Sequence, residues 1–182
     1  LTPPWDNNMA YSFHKYWSYN DAGSIQWVIN LRNQYNVPLW LGESGENSNP
    51  WFTSAINLVE NNKIGWAWWP YKKISSVTGT VTIPKTTGYQ TLLNYWKNGG
   101  TKPAVETAKA YLMEQAEMLK LENCIIHRDV LDAMFRQAQS DKTPKPFVKH
   151  TIPGTIFASD YDLGGNNYAY FDVDSADFHV ST

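Results

Sequence analysis

Residues 37–47 read VPLWLGESGEN, an apolar run that ends on two glutamates, Glu43 and Glu46. In parallel α/β sheets the side chains that carry chemistry leave from the carboxyl ends of the strands. The stretch therefore predicts a strand over residues 39–43 with a candidate catalytic carboxylate at its end. It also raises the question of whether the second glutamate is the partner of the first.

Two further strand patterns flank this one along the chain, at residues 9–14 (MAYSFH) and 64–69 (IGWAWW). Helical patterns over residues 24–35 and 50–60 separate the three strands. Repeated strand–helix units are typical of the α/β class, with a parallel sheet or a (β/α)8 barrel. Three units are fewer than the eight of a closed barrel. We therefore predict a partial TIM barrel, formed by its last three strand–helix units.

Residue types at the helix limits support these assignments. Ser24 is the expected N-cap of the first helix, and Pro50 suits the first turn of the second.

The third strand is followed by a polar loop and a short helical pattern from Tyr89 to Trp96. Past residue 98 the character changes to two helical patterns, over about residues 104–121 and 129–139, then to a segment rich in Pro and Lys, then to alternating residues with turn signals. The apolar face of the second helical pattern contains Val130, Leu131, Met134, Phe135 and Ala138. The predicted divisions are 1–98 for the barrel part, 99–141 for a helical extension, 142–154 for a linker and 155–182 for the incomplete start of a β-sandwich module.

Composition excludes several function classes. The 182 residues carry a formal net charge of -2 without a basic run, which argues against nucleic acid or an anionic membrane as the main partner. No stretch approaches the roughly 18 apolar residues of a membrane helix. Cys124 is the one cysteine, so neither an internal disulfide nor a thiolate metal site is possible within the chain.

Aromatic content is high, at 15% with 9 Trp and 11 Tyr. Trp and Tyr present a flat apolar face with a polar edge, which suits the C–H-rich faces of sugar rings. An aromatic-rich core would give the same composition, so the sugar-binding interpretation depends on where these residues lie.

The two-residue period of a strand gives each predicted strand one inward face. Those faces bring His14, Tyr16, Glu43 and Trp69 to one rim, and they direct Trp66 and Trp68 outward to the helices. The three inward sets are Ala10, Ser12, His14 and Tyr16; Leu39, Leu41 and Glu43; and Gly65, Ala67 and Trp69.

A carboxylate beside a hydroxyl or imidazole and an indole is what a retaining glycosidase requires. Its nucleophile must stay ionised, which nearby hydrogen-bond donors favour, and the indole supports the sugar ring. A lone Glu at a strand end is often only a helix cap or a salt-bridge partner. The agreement of three strand ends favours the catalytic interpretation.

Three motifs in order, YSFHKYW, PLWLGESGE and GWAWWPYKK, resemble the sixth, seventh and eighth strands of the glycoside hydrolase family 5 barrel, the cellulase-like family. The resemblance covers roughly residues 5–98 and is specific for the family rather than for the substrate. It implies a secreted or cell-surface endo-β-1,4-glucanase acting on a β-linked polysaccharide. Mannan, xyloglucan and mixed-linkage glucan stay open as substrates.

The resemblance also implies roles for individual residues. Glu43 would be the catalytic nucleophile, Tyr16 would hydrogen-bond to it, and His14 would line the site of bond cleavage. Trp69 would be the stacking platform beside the scissile bond. The further substrate-binding candidates are Trp17, from the first motif, and Lys72 and Lys73, one of which would reach a sugar hydroxyl.

The partner acid is where this chain departs from the family pattern. The family uses the Glu of an Asn-Glu pair, and no such dipeptide occurs in this sequence. Glu46 leaves the strand end on the same side as Glu43, whereas retaining hydrolysis needs carboxyl groups on opposite sides of the bond, about 5 Å apart. We therefore expect the acid to lie outside this chain, in a longer protein, and the isolated 182 residues to be inactive.

The tail resembles the opening of a family 6 carbohydrate-binding module, in the stretch IPGTIFASDYDLGGNNYAYFD. Such modules often hold calcium through a Glu-Ala-Glu segment, and Phe157, Ala158 and Ser159 stand there instead. Asp172, Asp174 and Asp177 lack the Gly and final Glu of an EF-hand loop. We predict no metal site and no cofactor.

Two other functions fit the same residues. One is a non-catalytic carbohydrate-binding protein, whose aromatic rim binds glycan while the glutamates only form hydrogen bonds. The other is an inactive piece of a barrel, since an open sheet exposes its edges and apolar faces.

Overall fold

A computed structural model of the chain describes residues 2–173 and shows a mixed α/β fold. The described residues form two compact units, one of residues 2–69 and 128–173 and the other of residues 70–127. The helical extension predicted over 99–141 is divided between these units. The predicted chain boundaries at residues 98, 141 and 154 stay predictions.

A three-stranded parallel sheet, in the order β1-β2-β3, forms the centre of the first unit. Helix α1 connects the first strand to the second, and α2 connects the second to the third. The α/β class predicted from the alternating patterns is therefore confirmed. The elements are β1 (Tyr11–His14), α1 (Ala22–Tyr35), β2 (Leu39–Glu43), α2 (Asn49–Asn61) and β3 (Gly65–Trp66).

Helix α1 begins one turn earlier than predicted. Its N-cap is Asp21, whose carboxylate accepts a hydrogen bond from the Ser24 backbone N–H at 2.8 Å. The prediction of Ser24 as the cap is wrong, because Asp21 satisfies the free N–H groups of the first turn before Ser24 is reached. The helix ends at Asn36, which takes a left-handed conformation two residues before Pro38.

Helix α2 agrees with its predicted limits. The Ser48 side chain accepts from the Trp51 N–H, and Pro50 lies in the first turn, where its missing N–H costs nothing.

Strand β3 is shorter than the predicted strand over 64–69. Beyond Trp66 the pairing continues only as separate links, the Ala67 N–H to Leu41 O at 2.8 Å and a bridge between Gly45 and Trp69. The continuous ladder stops because the neighbouring chain leaves the sheet after Glu43 and turns at Gly45, which has a φ of 137°.

Two apolar clusters stabilise the first unit. One lies between the sheet and helix α1, and the other between α2 and the helical segment that begins at Arg128. Trp66 and Trp68 are half-buried against the second cluster, which confirms that they face the helices. The first cluster contains Tyr11, Phe13, Ile25, Val28, Val37, Leu39, Leu41, Val59 and Ile64, and the second contains Trp51, Phe52, Ala55, Ile56, Val130, Met134 and Ala138.

The second unit contains a small sheet and two packed helices. Strand β5 pairs parallel with β4 and antiparallel with β6, so residues predicted as a polar loop after residue 69 include two strands. Every residue of β5, Val81 and Ile83 among them, is buried, so these strands are formed by tertiary contacts that an alternating pattern does not reveal. The elements are β4 (Lys72–Ile74), β5 (Val81–Ile83), α3 (Thr87–Asn98), α4 (Val105–Glu117), a 3-10 helix (Leu121–Asn123) and β6 (Ile125–Ile126).

The helix predicted over 129–139 is present in an unexpected form. A short α-helix, α5 (Arg128–Leu131), continues as a π-helix (Asp132–Gln137). The wider π turn changes the buried face, so Ala133 is buried whereas Phe135 is 57% exposed. The prediction that Phe135 belongs to the buried face is wrong for this reason.

The β-rich character predicted from residue 155 is not seen in the described part of that segment. Residues 155–173 form turns and isolated bridges, such as the antiparallel bridge between Lys145 and Leu163, but no continuous strand. A strand needs a neighbouring strand to pair with, and the described residues provide only single bridging positions. The part of the prediction that falls on 174–182, including Asp174 and Asp177, lies outside the described residues.

Candidate active site

The carboxyl ends of β1 and β2 meet at one edge of the parallel sheet. Tyr11 pairs with Leu39 and Phe13 with Leu41, but the next pair joins His14 to Glu43, so Gly42 is skipped. This irregularity is a β-bulge, which adds one residue to one strand and redirects the side chains that follow.

The bulge corrects the predicted face of β2. Leu39 and Leu41 were expected to share an inward face with Glu43, and the structure buries both leucines in the core next to α1 instead. Because Gly42 is the extra residue, the two-residue period breaks there, and Glu43 joins the opposite face with His14. The predicted proximity of Glu43 and His14 is therefore present, although the face argument that led to it is wrong.

Gly42 lies against two side chains of β1. A β-carbon added to it would collide with Ser12 Oγ and lie 3.4 Å from His14 Nε2. Glycine at this position therefore leaves room for both side chains in the observed register.

Two side chains contact the Glu43 carboxylate at the same oxygen. His14 Nδ1 and the Tyr16 hydroxyl each lie 3.4 Å from Glu43 Oε2, a long hydrogen-bond distance in both cases. The Glu43 side chain is 38% exposed, so the carboxylate is reachable from solvent. The structure thus brings together the three residues predicted for catalysis.

The Tyr16 hydroxyl remains protonated over the whole neutral range. Burial, and after it the negative charge and hydrogen bond of Glu43, raise the pKa of Tyr16 to about 12, with Glu46 contributing in the same direction. Tyr16 is therefore a permanent donor to Glu43, and donors to a carboxylate favour its ionised form.

Glu46 lies in the loop between β2 and α2, as predicted from the Gly, Asn and Ser residues around it. It is half-buried and has a φ of 51°, which is uncommon for a residue with a side chain. Its charge acts on Tyr16 as stated above, and its role in chemistry stays open.

Trp69 is held at the same edge by its backbone. Its N–H donates to Ser44 O at 2.7 Å, and it bridges to Gly45, so Trp69 pairs with the two residues that follow Glu43. A β-carbon on Gly45 would collide with Trp69 O, so this pairing also depends on a glycine. Trp69 is 51% exposed.

The other predicted binding residues are placed differently. Trp17 follows Tyr16 in the first unit, has an exposed side chain and a φ of 59°. Lys72 and Lys73 lie on β4 of the second unit, where Lys72 Nζ donates to Leu119 O at 2.6 Å. Their predicted contacts with sugar stay predictions.

Sequence reasoning missed Lys15, which lies between His14 and Tyr16. Its side chain is buried, with the residue only 5% exposed, and its backbone N–H donates to Glu43 O at 3.1 Å. A usable signal was present, because the period that buries Tyr11 and Phe13 reaches Lys15 next.

Metal binding and membrane insertion are two further possibilities on which the structure bears. Among residues 2–173, no group of three or more His, Cys, Asp or Glu side chains is arranged to hold a metal ion. Within the described part of the chain, no helix combines the length and apolarity needed to cross a membrane.

Comparison of the chain with protein-family models, with curated proteins and with solved structures found no match.

Proposed function

We propose that this chain carries part of the active site of a retaining β-glycoside hydrolase, with Glu43 as the nucleophile. The observation that carries the proposal is the Glu43 carboxylate at a parallel-strand end, contacted by His14 and Tyr16 at 3.4 Å on a solvent-accessible face. The resemblance of the three strand motifs to family 5 supports it.

In this chemistry Glu43 Oε2 forms a bond to the anomeric carbon while the bond to the leaving-group oxygen breaks. A second carboxyl group protonates that oxygen and later takes a proton from the water that releases the sugar. The Tyr16 hydroxyl donates to Glu43 Oε2, and His14 lies against the same oxygen. The exposed Trp69 indole is a suitable surface for an apolar sugar face.

The same proposal includes the barrel fold, the substrate and the location of the protein. The parallel order β1-β2-β3 with an intervening helix after each of the first two strands is compatible with consecutive units of a (β/α)8 barrel. We propose β-1,4-linked glucan as substrate and an extracellular or cell-surface location, on the strength of the motif resemblance.

An activated inhibitor tests the nucleophile directly. A 2,4-dinitrophenyl 2-deoxy-2-fluoro-β-cellobioside releases a stable phenolate, so its first step does not require a general acid. The fluorine slows the second step, because that transition state is oxocarbenium-like. We expect mass spectrometry of the full chain to show one added glycosyl group, located on the peptide that contains Glu43.

Two matched variants complete that experiment. Glu43→Gln should abolish the label, whereas Glu46→Gln, the same change three residues further on, should keep it. A label that persists in Glu43→Gln, or that lies on a different peptide, contradicts the nucleophile assignment.

A non-catalytic carbohydrate-binding function is the second candidate, and the exposed aromatic side chains of the first unit favour it: Trp17, Tyr19 and Trp69. Titration with cello-oligosaccharides, followed by tryptophan fluorescence, measures binding in the same protein. Saturable binding together with no glycosyl label on Glu43 and no reducing ends released would establish binding without catalysis.

A further inference from the structure

Lys15 is an unusual residue to find buried beside a candidate nucleophile. Its ammonium group lies inside the loop that connects β1 to α1 and donates to oxygens of that same loop. The acceptors are Ser18 O at 3.3 Å, Ser18 Oγ at 2.8 Å, Tyr19 O at 2.9 Å and Asn20 Oδ1 at 2.8 Å. All four are uncharged.

Helix α2 closes this arrangement from the other side. Lys15 Nζ lies 5.1 Å from the centre of the Trp51 ring, within the range of a cation–π contact. Trp51 Nε1 donates to Ser18 O at 3.0 Å, and Asn20 Nδ2 donates to Trp51 O at 3.1 Å. The loop after β1 is therefore tied to the first turn of the helix that follows Glu43.

The loop depends on these contacts because its backbone lies between β1 and α1, outside the hydrogen-bonded strands of the sheet. The carbonyl groups of Ser18 and Tyr19 lie beyond the end of β1 and accept from the Lys15 side chain instead of a neighbouring strand. Trp17 is held at a φ of 59°, a conformation that costs free energy for a residue with a side chain and persists only when its surroundings fix it.

Tyr16 lies between two anchored points. On one side the Lys15 backbone N–H binds Glu43 O, and on the other the Lys15 ammonium and the Trp51 indole both bind Ser18 O. The position of the Tyr16 hydroxyl on Glu43 Oε2 therefore depends on how firmly Ser18 is held.

We propose that Lys15 is a positioning residue, whose buried ammonium closes the loop of residues 15–20 and thereby holds the Tyr16 hydroxyl on Glu43. Its consequence for glycosyl transfer rests on the proposed function, whereas its effect on the position of Tyr16 does not. The two can be measured separately.

The test uses the Tyr16 phenol as a reporter of its distance from Glu43. The full chain is produced with 3-fluorotyrosine, and the Tyr16 signal in the fluorine NMR spectrum is assigned by its loss in Tyr16→Phe. Lys15→Met removes the ammonium and keeps a linear apolar chain of similar length. The spectra are recorded at pH 7, where the Lys15 ammonium is charged. We expect the Tyr16 signal of Lys15→Met to move from its position in the parent towards its position in Glu43→Gln, because the hydroxyl no longer lies against the carboxylate.

Controls and a second variant make the test decisive. Lys97→Met, the same change at an exposed lysine, should leave the Tyr16 signal at pH 7 unchanged. Ser18→Ala removes one acceptor and keeps the lysine, so it should move the signal in the same direction by less, and it carries the test if Lys15→Met does not fold. A Tyr16 signal that stays at the parent position in the folded variant overturns the proposal.

The labelling rate then separates this proposal from the previous one. If both hold, Lys15→Met lowers the rate of Glu43 labelling by about tenfold or more, since a misplaced partner group weakens attack. If the parent chain takes no label but the Tyr16 signal still moves in Lys15→Met, the proposed function fails and the role of Lys15 stands.

Discussion

Gly42 decides which way Glu43 points. If the apolar alternation of β2 continued without a break, Glu43 would lie among the buried leucines. Burying a carboxylate there without a partner would be very costly. One skipped position in the pairing with β1 moves it to the face of His14. The sequence indicated that Glu43, His14 and Tyr16 belong together, but a bulge leaves no mark in a two-residue period. Gly42, immediately before Glu43, is a residue type often found at such irregularities.

Gly42→Ala should therefore damage the site more than its size suggests. The added methyl group meets Ser12 Oγ, so the Ser12 side chain must rotate, or β1 and β2 must separate. We expect a loss of about 1–3 kcal/mol in the free energy of unfolding, measured in urea, as is typical of an overpacked position. Glu43 labelling should fall by about tenfold or more.

Gly23→Ala is the matched control for that change. A β-carbon there lies 3.4 Å from the Asp21 side chain, an ordinary contact at the start of α1. Alanine should be neutral or should stabilise the helix by about 0.4–1 kcal/mol. Equal stability losses in the two variants would show that Gly42 is not a special position.

Elements that were long and strongly periodic could be predicted, and those that depend on distant partners could not. Helix α2 has a serine cap, a proline in its first turn and a regular apolar face, so its limits follow from local chemistry. The segment after Arg128 has a helical period too, but it continues as a π-helix that begins at a buried carboxylate, Asp132. Asp132 accepts from Arg136 and Gln137 on the same segment.

The pair of Asp132 and Arg136 also fixes the chain that follows. Arg136 donates to Thr143 O and Leu163 O, next to the bridge between Lys145 and Leu163. Burial by itself would raise the pKa of Asp132, but hydrogen bonds from Arg136 and Gln137 and the charge of Arg136 bring it below its usual value. The pair thus explains how a segment without strands is ordered.

Asp132→Asn should destabilise the first unit and loosen this segment. The variant leaves Arg136 without its counter-charge in a largely buried site, which we expect to cost about 3 kcal/mol of unfolding free energy. Because the folded-state pKa of Asp132 is lowered, its contribution is present above the unfolded pKa and is lost as pH falls through the folded pKa. The difference from the parent should therefore shrink on acidification.

Urea unfolding at several pH values measures that difference, and hydrogen exchange at the amides of Lys145 and Leu163 reports the loosening. Glu122→Gln, at an exposed carboxyl group, is the control. Exchange at both amides that matches the parent would show that Asp132 does not order this segment.

For the whole molecule, the α/β class and the order of the elements in the first unit could be predicted from the sequence. The second unit was not predicted, because its strands are only two or three residues long. One of its pairings joins strands that are far apart in the sequence, β5 and β6. Pairing of that kind depends on tertiary contacts rather than on local preference. The same limit applies to Lys15, whose partners are loop oxygens and a tryptophan from another element.

Stability at alkaline pH is a property of the whole chain that these buried groups should control. Burial lowers the pKa of Lys15 to about 8, opposed by the attraction of Asp21, whereas an unfolded lysine has a value of 10.5. Between these two values the unfolded chain binds the extra proton, so the free energy of unfolding rises with pH. Tyr16 acts in the opposite sense, since its pKa of about 12 in the fold exceeds the 10.0 of an unfolded tyrosine, and its contribution is lost as pH rises through that window.

We therefore expect the stability of the parent relative to Lys15→Met to increase between pH 8 and pH 10, by about 2–3 kcal/mol for a pKa shift of this size. Urea unfolding of both proteins at pH 7, 8, 9 and 10 gives the difference directly, and groups that titrate alike in the two chains cancel. Above pH 10, Tyr16→Phe should remove part of the decline that the parent shows. A difference between parent and Lys15→Met that stays constant from pH 7 to pH 10 would contradict this prediction and would show that the four acceptors and the Trp51 ring offset the burial of the Lys15 ammonium.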